Sequence, residues 1–597
     1  MKQTSITVAD ILAKPFKNFL WRMAFIGAVT ISLLCFAALA GAQTVTLTPD
    51  PACFSFYQRQ ADSLSKAHLA STYLTGYQRR ARARLDSLLH QRCVKVTVPP
   101  VDTVVVPPVD STPTPPVDST PPIDTTPPVP VPPDTARFSG PAELPRIYLN
   151  FPYPAITRTV VVSSGGLQAA INNRQAGDEL LLVGGSTWSG NFTVANCVGG
   201  WLTIKSGGLL PNIGNRMTPT RAAPNAKIIT PNTAAALTVT AAGCKVRLVG
   251  VEIAQATTVT AANYGLVRMD GTDLVLDRVY VHGHATSNTI RCVAMNGPRQ
   301  QVADSWLSEC HASGNDAQAI WGGNGPGPYR IVNNYLEGSG ENIMFGGTDP
   351  PAGIVPSDIE IRGNHIAKPL AWKGGPWTIK NLIETKNAAR VLIEGNVIEG
   401  SWTHAQTGWA VIVKSANQSG GCRWCRSTDV TIRRNAIRNV GAGINIAPQG
   451  DIGPTDTTAR RIHVTDNTID VTQTGDKRGF MTLTGTRSIA IERNVLTGTG
   501  LTAAMFSEGG AQCTFTDNVW ARGQYGVFAS GAGEGTSALN KGCGASGWTW
   551  TRQTMVGTAG GAYPAGTTWV SSEAQALLAA TIRATVSQAT AGVVVPP

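Results

Sequence analysis

Short bursts of alternating apolar and polar residues, each broken by a polar step that usually ends in Asn, dominate the chain from Val246 to about Arg522. VLIEGNVIEG from Val391 shows the unit most clearly. Close copies are YRIVNNYLEG from Tyr329, IEIRGNHIAK from Ile359, VTIRRNAIRN from Val430, IHVTDNTIDV from Ile462, IAIERNVLTG from Ile489 and CTFTDNVWAR from Cys513. VRLVGVEIAQ from Val246, LVLDRVYVHG from Leu274 and a weaker QQVADSWLSE from Gln300 extend the series upstream. Period-two alternation in β-branched and apolar residues predicts strands, and the central Asn is the side chain expected to take up the left-handed conformation of a tight bend between them. The copies stand roughly 24 to 39 residues apart, the interval of a repeat architecture. No helical period intervenes, which argues against βαβ winding. The pattern therefore predicts a solenoid of strands stacked at about 4.8 Å, with Asn334, Asn364, Asn396, Asn435, Asn467, Asn494 and Asn518 forming a ladder of amides at one corner.

A solenoid exposes its core at both ends unless each is capped. Gly166 to Ile171, GLQAAI, predicts a short amphipathic helix ahead of the strand Glu179 to Val183, and Glu573 to Ala589, with apolar positions three and four apart, predicts a helix closing the last coil. Upstream of the repeats, Val98 to Thr135 is so rich in Pro that it loses amide donors and has φ fixed at many positions, so it reads as an extended spacer without a core. Between Ala52 and Cys93 an interrupted apolar stripe, Phe54, Tyr57, Leu64, Leu69, Tyr73, Tyr77, Leu85 and Leu88, predicts a two-helix hairpin. The first residues carry a basic flank (Lys2, Lys14, Lys17, Arg22) and an apolar run from Met23 to Ala42 that ends in Ala40-Gly41-Ala42, the layout of an export signal. An uncleaved membrane anchor is the alternative, since the run approaches the roughly 20 residues that span a bilayer. The expected organisation is a signal or anchor over 1–42, a small helical segment over 43–97, a Pro-rich linker over 98–137 and the solenoid over 138–597.

Composition fits this organisation: 63 Gly and 15% charged residues mean many turns and few exposed helices. The net charge of +11 suits an acidic partner, and no nucleic-acid motif competes for it, so a polysaccharide or cell-surface glycan is the expected partner. Membrane contact is expected only through an uncleaved N-terminal segment. Of 11 Cys, Cys35 falls in the signal, leaving the even number that an oxidising, extracytoplasmic location favours. Sequence order pairs Cys53 with Cys93, Cys197 with Cys244, Cys292 with Cys310, Cys422 with Cys425, and Cys513 with Cys543. Cys422 and Cys425 have no second Cys or His pair nearby and read as a loop staple in preference to zinc or redox chemistry.

From about Phe138 onward the chain resembles secreted right-handed parallel β-helix proteins of the pectate-lyase-like superfamily. The resemblance is carried by LQAAINNRQAGDELLLVGGSTWSGNFTV from Leu167, the Asn-centred repeats, NNYLEGSGENIMFGG from Asn333 and KNLIETKNAARVLIEGNVIEGSW from Lys380, the last two being similar to stretches of uncharacterised bacterial β-helix proteins. It implies an all-β, right-handed parallel β-helix with terminal capping helices. The activity is open, since the superfamily holds lyases, hydrolases, esterases, tailspikes and proteins without known chemistry.

In such a fold chemistry sits in columns across coils. Aligning strands places Asn342 to Gly346 over Leu382 to Lys386 and that over Ala410 to Lys414, with Ile343, Ile383 and Val411 inward, as are Phe345, Thr385 and Val413, and Glu384, Lys386 and Lys414 outward. Two ammoniums on adjacent rungs disfavour each other's charge, a means of making Lys386 a base, with Lys414 and Arg390 meeting a uronate carboxylate and Glu384, Glu341 and Asn381 caging calcium. The arrangement resembles the alginate-lyase and chondroitinase-B type of β-helix lyase, although Asn381 stands where that pattern has an acid and Lys414 replaces its Arg. The alternative is a surface pairing of Glu384 with Lys386 and Lys414 that only balances charge. Trp321, Trp372, Trp377, Trp402 and Trp409 flank this column and offer either sugar platforms, above all Trp321, Trp402 and Trp409, or covers for long loops.

Two weaker constellations remain. SGNDAQAI from Ser313 faintly resembles the paired-Asp motif of polygalacturonase-type hydrolases, but Asn315 replaces the first Asp, so Asp316 reads as a turn residue. His282, His284 and His311 lie on neighbouring coils and read as polar turn residues more readily than as a metal site. Three functions follow: a lyase on an acidic glycan, a non-catalytic glycan-binding or adhesive β-helix, and a phage-type tailspike, against which the export signal and the spacer argue.

Overall fold

The computed structural model describes residues 141–575, apart from short stretches at 164, 196, 198, 241–243, 450–454, 483–484, 499, 501 and 508–511, together with the strands Thr46–Pro49 and Val94–Thr97. Those two strands pair antiparallel, with Pro49 opposite Val94. The segments expected over 1–42, 43–97 and 98–137, the Cys53–Cys93 bridge, and the closing helix expected over 573–589 beyond Gln575 otherwise lie outside the described residues. The chain divides into two units, Met1–Pro128 and Val129–Pro597. The second carries the solenoid.

The alternating segments form three long sheets. The first runs from Arg158–Val162 to Trp548–Thr551 with 14 strands, the second from Thr187–Ser189 to Thr567–Val570 with 14, and the third from Phe192–Val194 to Gly533–Glu534 with 13. Neighbouring strands are parallel except the last pair of the third sheet, Val527–Ala529 with Gly533–Glu534. One coil visits each sheet in turn, as in Ser357–Arg362, His365–Ala367 and Ile383–Thr385. The fold is a right-handed parallel β-helix, the hand that strand twist imposes on parallel crossovers. Like residues stack in register inside it: Ile361 on Ile393 and Ile432, Ile366 on Ile398 and Ile437, and Ile343 on Ile383 and Val411. All are fully buried, each adding about 1.5–3 kcal/mol of apolar burial.

The Asn ladder is complete. Each Nδ2 donates to the next Oδ1 at 2.9 to 3.1 Å from Asn334 through Asn518, where Gln553 takes the terminal place. Each side chain also serves backbone: Asn396 Nδ2 donates to Ile361 O, and its Oδ1 accepts from Asn364 N. One expectation is corrected. The left-handed residue is the one before each ladder Asn, namely Asn333, Gly363, Gly395, Arg434, Asp466, Arg493 and Asp517, at φ between 50° and 66°. The Asn is needed for its amide, and the preceding residue turns the chain.

Part of the first sheet's outer face is covered by the chain itself. Residues 141–157 run along it, with Glu143 N donating to Asp429, Arg146 N to Asp358, Arg247 Nη2 to Phe151 O, and Tyr153 Oη to Glu179. The N-terminal cap helix, Leu167–Asn172, buries Leu167 and Ile171 as its pattern predicts. At the other end a helix without a sequence forecast, Thr536–Cys543, buries Ala538 and Leu539 against the last coils and is bridged by Cys513–Cys543. The pairings Cys197–Cys244, Cys292–Cys310 and Cys422–Cys425 also match the expected ones. Replacing Cys513 and Cys543 together by Ser is expected to cost about 3 kcal/mol, since the bridge closes a loop of 30 residues. A lower denaturant midpoint, with faster amide exchange confined to the last coils, checks this.

Candidate functional site

The 141–157 segment lies over part of the first sheet, and the candidate residues lie on the third. On the third, Ile343–Phe345, Ile383–Thr385 and Trp409–Ser415 lie on successive rungs. Alternation turns Glu384 outward between Met344 and Ile412, the expected register. Lys386 leaves the same strand one turn on, and Lys414 occupies the penultimate position of the longer strand above it. The structure brings the three together: Lys414 Nζ is 3.2 Å from Glu384 Oε1, and Lys386 Nζ is 3.8 Å from the same oxygen. Both lysine side chains are 12% exposed, whereas Glu384 is buried. The two ammoniums therefore do not face each other bare, because a carboxylate stands between them and offsets their repulsion.

Glu384 is held in its anionic form. Burial pushes its carboxyl up, but Lys414 and then Lys386, with hydrogen bonds from Lys414 and Asn381, outweigh this and hold it below the usual range. Glu341, just before the strand below, behaves in the opposite way. It is fully buried, and burial, then Glu384 and Asp316, push its carboxyl up to about 7, despite a hydrogen bond from Gln318 Nε2 at 2.9 Å and the nearby Lys380. Lys380 bridges to Asp316 at 2.6 Å along the same face. Lys368 Nζ lies behind Glu341, enclosed by Gly338 O, Gly340 O and Asn342 Oδ1. The face thus juxtaposes a neutral-leaning acid, an ionised carboxylate and half-buried cations across adjacent coils.

Several expected members are placed elsewhere. Arg390 lies at the entry to the first sheet in a left-handed conformation, forked onto Asp358 at 2.7 and 2.9 Å. It belongs to a structural column with Arg299 on Asp273 and Arg461 on Asp429. The tryptophans are not open platforms. Trp321 is 9% exposed, packs on Ala294 and Met344, and lies under the Arg291 guanidinium at 3.9 Å. Trp402 packs with Trp372 and Ile379, and Trp409 with Ile412 and Ala442. His282, His284 and His311 have separate partners in Glu252, Val259 O and Glu309.

Calcium takes about six to eight oxygens. Asn381 is engaged within the protein: its Oδ1 accepts from Trp409 N, and its Nδ2 donates to Glu384 Oε2 at 3.0 Å. Glu341 Oε2 accepts from Gln318, and two ammoniums flank Glu384 Oε1. Glu384, Glu341 and Asn381 therefore do not fit a calcium ion. Among the described residues no group of three or more His, Cys, Asp or Glu is arranged to hold a metal.

Strand alignment found Glu384, Lys386 and Lys414 but not their surroundings. Gln406 accepts from Asn381 Nδ2 and Gln418 from Lys386 Nζ, both from loops whose register no alternation fixes. Asp349, which accepts from the amides of Gln418, Ser419 and Gly421 at 2.8 to 3.0 Å, positions that second loop.

No family model matches the chain, and no curated protein does. Among solved structures it is similar to a mannuronic acid specific polysaccharide family 6 lyase from human gut microbiota, with TM-score 0.44 and 11% identity, over 72% of this chain and 94% of that one. It is also similar to an alginate lyase from Paenibacillus sp., with TM-score 0.31 and 15% identity over 63% and 97% of the two chains. The Dettilon tailspike protein gives TM-score 0.36 and 12% identity over 69% and 68%.

Proposed function

We propose that the protein is an exported, carbohydrate-active β-helix whose third-sheet face binds an acidic, uronate-containing glycan and cleaves it by β-elimination. Its disulfides support export, since such bridges persist in oxidising compartments. The observation that carries the reading is Lys386: a half-buried ammonium 3.8 Å from Glu384, whose nearer partner is Lys414, with a hydrogen bond to Gln418 at 3.2 Å. Lys414 anchors Glu384 at 3.2 Å, and its positive potential meets the uronate carboxylate. Lys386 first releases its own proton to solvent and then, as the neutral amine, takes the proton from the carbon next to that carboxylate. The released electron pair forms the carbon–carbon double bond, the bond to the 4-linked sugar breaks, and the departing oxygen takes a proton from water. No metal is routed through the step.

Charge on this face falls as pH rises through about 7, because Glu341 gains a negative charge there while burial makes the Lys368 ammonium give up its proton in the same range. Affinity electrophoresis in gels containing polygalacturonate or alginate tests the binding half. Retardation is expected below pH 7, weakening as pH rises through about 7, and Glu341→Gln is expected to blunt that weakening. Absence of retardation at any pH contradicts the reading. Retardation without cleavage assigns the face to glycan binding alone.

A further inference from the structure

The second sheet's outer face carries an array that the third-sheet chemistry does not use. Tyr280, Trp306, Tyr335 and His365 occupy the same outward position on four consecutive coils, all half-buried. Higher coils place Val397, Ala436 and Thr468 there, so the aromatic run is confined to one zone. Trp306 stacks on Tyr335 with centroids 3.8 Å apart, and His365 meets Tyr335 edge-on at 5.0 Å.

Four carboxyl groups line the column, and three have basic partner groups. Glu252 pairs with Lys227 and His282, Glu309 with His311, and Glu399 with His365 and Arg438. Glu337 differs. It is 7% exposed, it accepts from Tyr335 Oη at 2.8 Å and Glu309 N at 3.1 Å, and no ion pair to it is present among the described residues. Burial raises its carboxyl from the ordinary range. Chain rises on both sides of this face. Residues 207–225 climb the bend between the first and second sheets, where Met217 N donates to Asp304 O and Arg216 to Asn333 O. Residues 368–381 stand at the opposite edge, where Trp377 stacks on His311 at 3.7 Å.

We infer that this face is a second binding site, for an uncharged, hydroxyl-rich glycan, centred on Trp306, Tyr335 and Glu337. Aromatic surface takes the sugar's C–H faces, and the second lone pairs of a fixed carboxyl accept its hydroxyls. Three of the four carboxyl groups already have basic partners, so the face offers little net charge to a uronate or to a cationic sugar and is complementary to a different glycan from the third sheet. The site is independent of the lyase reading and stands whether or not that reading does.

Affinity electrophoresis of the full chain in gels containing xylan, galactomannan or hydroxyethyl cellulose, beside polygalacturonate and chitosan gels, tests the inference. Retardation by at least one neutral glycan is expected, weakened about tenfold in Glu337→Gln, abolished in Trp306→Ala and unchanged in Lys386→Ala. Glu337→Gln keeps the side-chain shape, so its result stands even if Trp306→Ala disturbs the fold. Retardation in none of the neutral gels overturns the inference, as does neutral-glycan binding that is indifferent to Glu337→Gln, or retardation confined to polygalacturonate or to chitosan.

Discussion

Lys386→Ala is expected to lower cleavage of a uronate polymer by about a hundredfold to ten-thousandfold, the range for removing a positioned proton-transfer group. The fold is expected to survive, because Glu384 keeps Lys414 at 3.2 Å and Asn381 at 3.0 Å when the looser contact at 3.8 Å is lost. Lys386→Arg separates the two roles of the side chain. Arg keeps the positive charge and its hydrogen bonds but cannot release a proton in this range, so KM should change little while kcat falls with the Ala variant. Equal activity in Arg and wild type would instead assign Lys386 to charge alone.

Asn396→Ala carries the largest expected effect on stability. It removes the donor to Ile361 O and to Asn435 Oδ1, and the acceptor of Asn364 N and Nδ2, in a place 1% exposed. Asn364 Nδ2 retains Ile331 O, and Asn435 Oδ1 still accepts from the backbone N of residue 396, so the principal orphans are Asn364 N and Ile361 O. Each such group costs about 1–3 kcal/mol, so a loss of about 3 kcal/mol or more is expected. In a stacked fold each coil rests on its neighbours, so amide exchange should rise first in the coils around residues 359–399 before global unfolding. A thermal midpoint within a degree or so of wild type would contradict a ladder that bears on stability.

The repeat was legible because it is enforced on every coil. Period-two alternation fixed which of Ile343, Glu384 and Val413 face inward, and the ladder followed from Asn recurring at one corner. The same regularity misled about the bend: the left-handed residue varies among Gly, Arg, Asp and Asn, so only the invariant neighbour stood out. Arg390 looked available because sequence proximity to Lys386 hides that only Lys386 and Asn387 separate the third-sheet strand from the first-sheet strand that carries Arg390. Trp321, Trp402 and Trp409 were misplaced because what covers each of them comes from other coils, which is a matter of long-range packing. Glu341 was read as a metal ligand because its titration depends on Asp316 and Glu384, neighbours that only coil stacking supplies. The cap Thr536–Cys543 is eight residues with two apolar anchors, too short for a period to show.

Elimination across an acidic glycan by the third-sheet face, without a metal, is read out by unsaturated-uronate absorbance during incubation of the full chain with alginate, pectate and glycosaminoglycans, with and without EDTA. Growth of that band on at least one polymer is predicted, insensitive to EDTA and lost in Lys386→Ala. No band on any of them, or a band that Lys386→Ala leaves unchanged, would contradict the account.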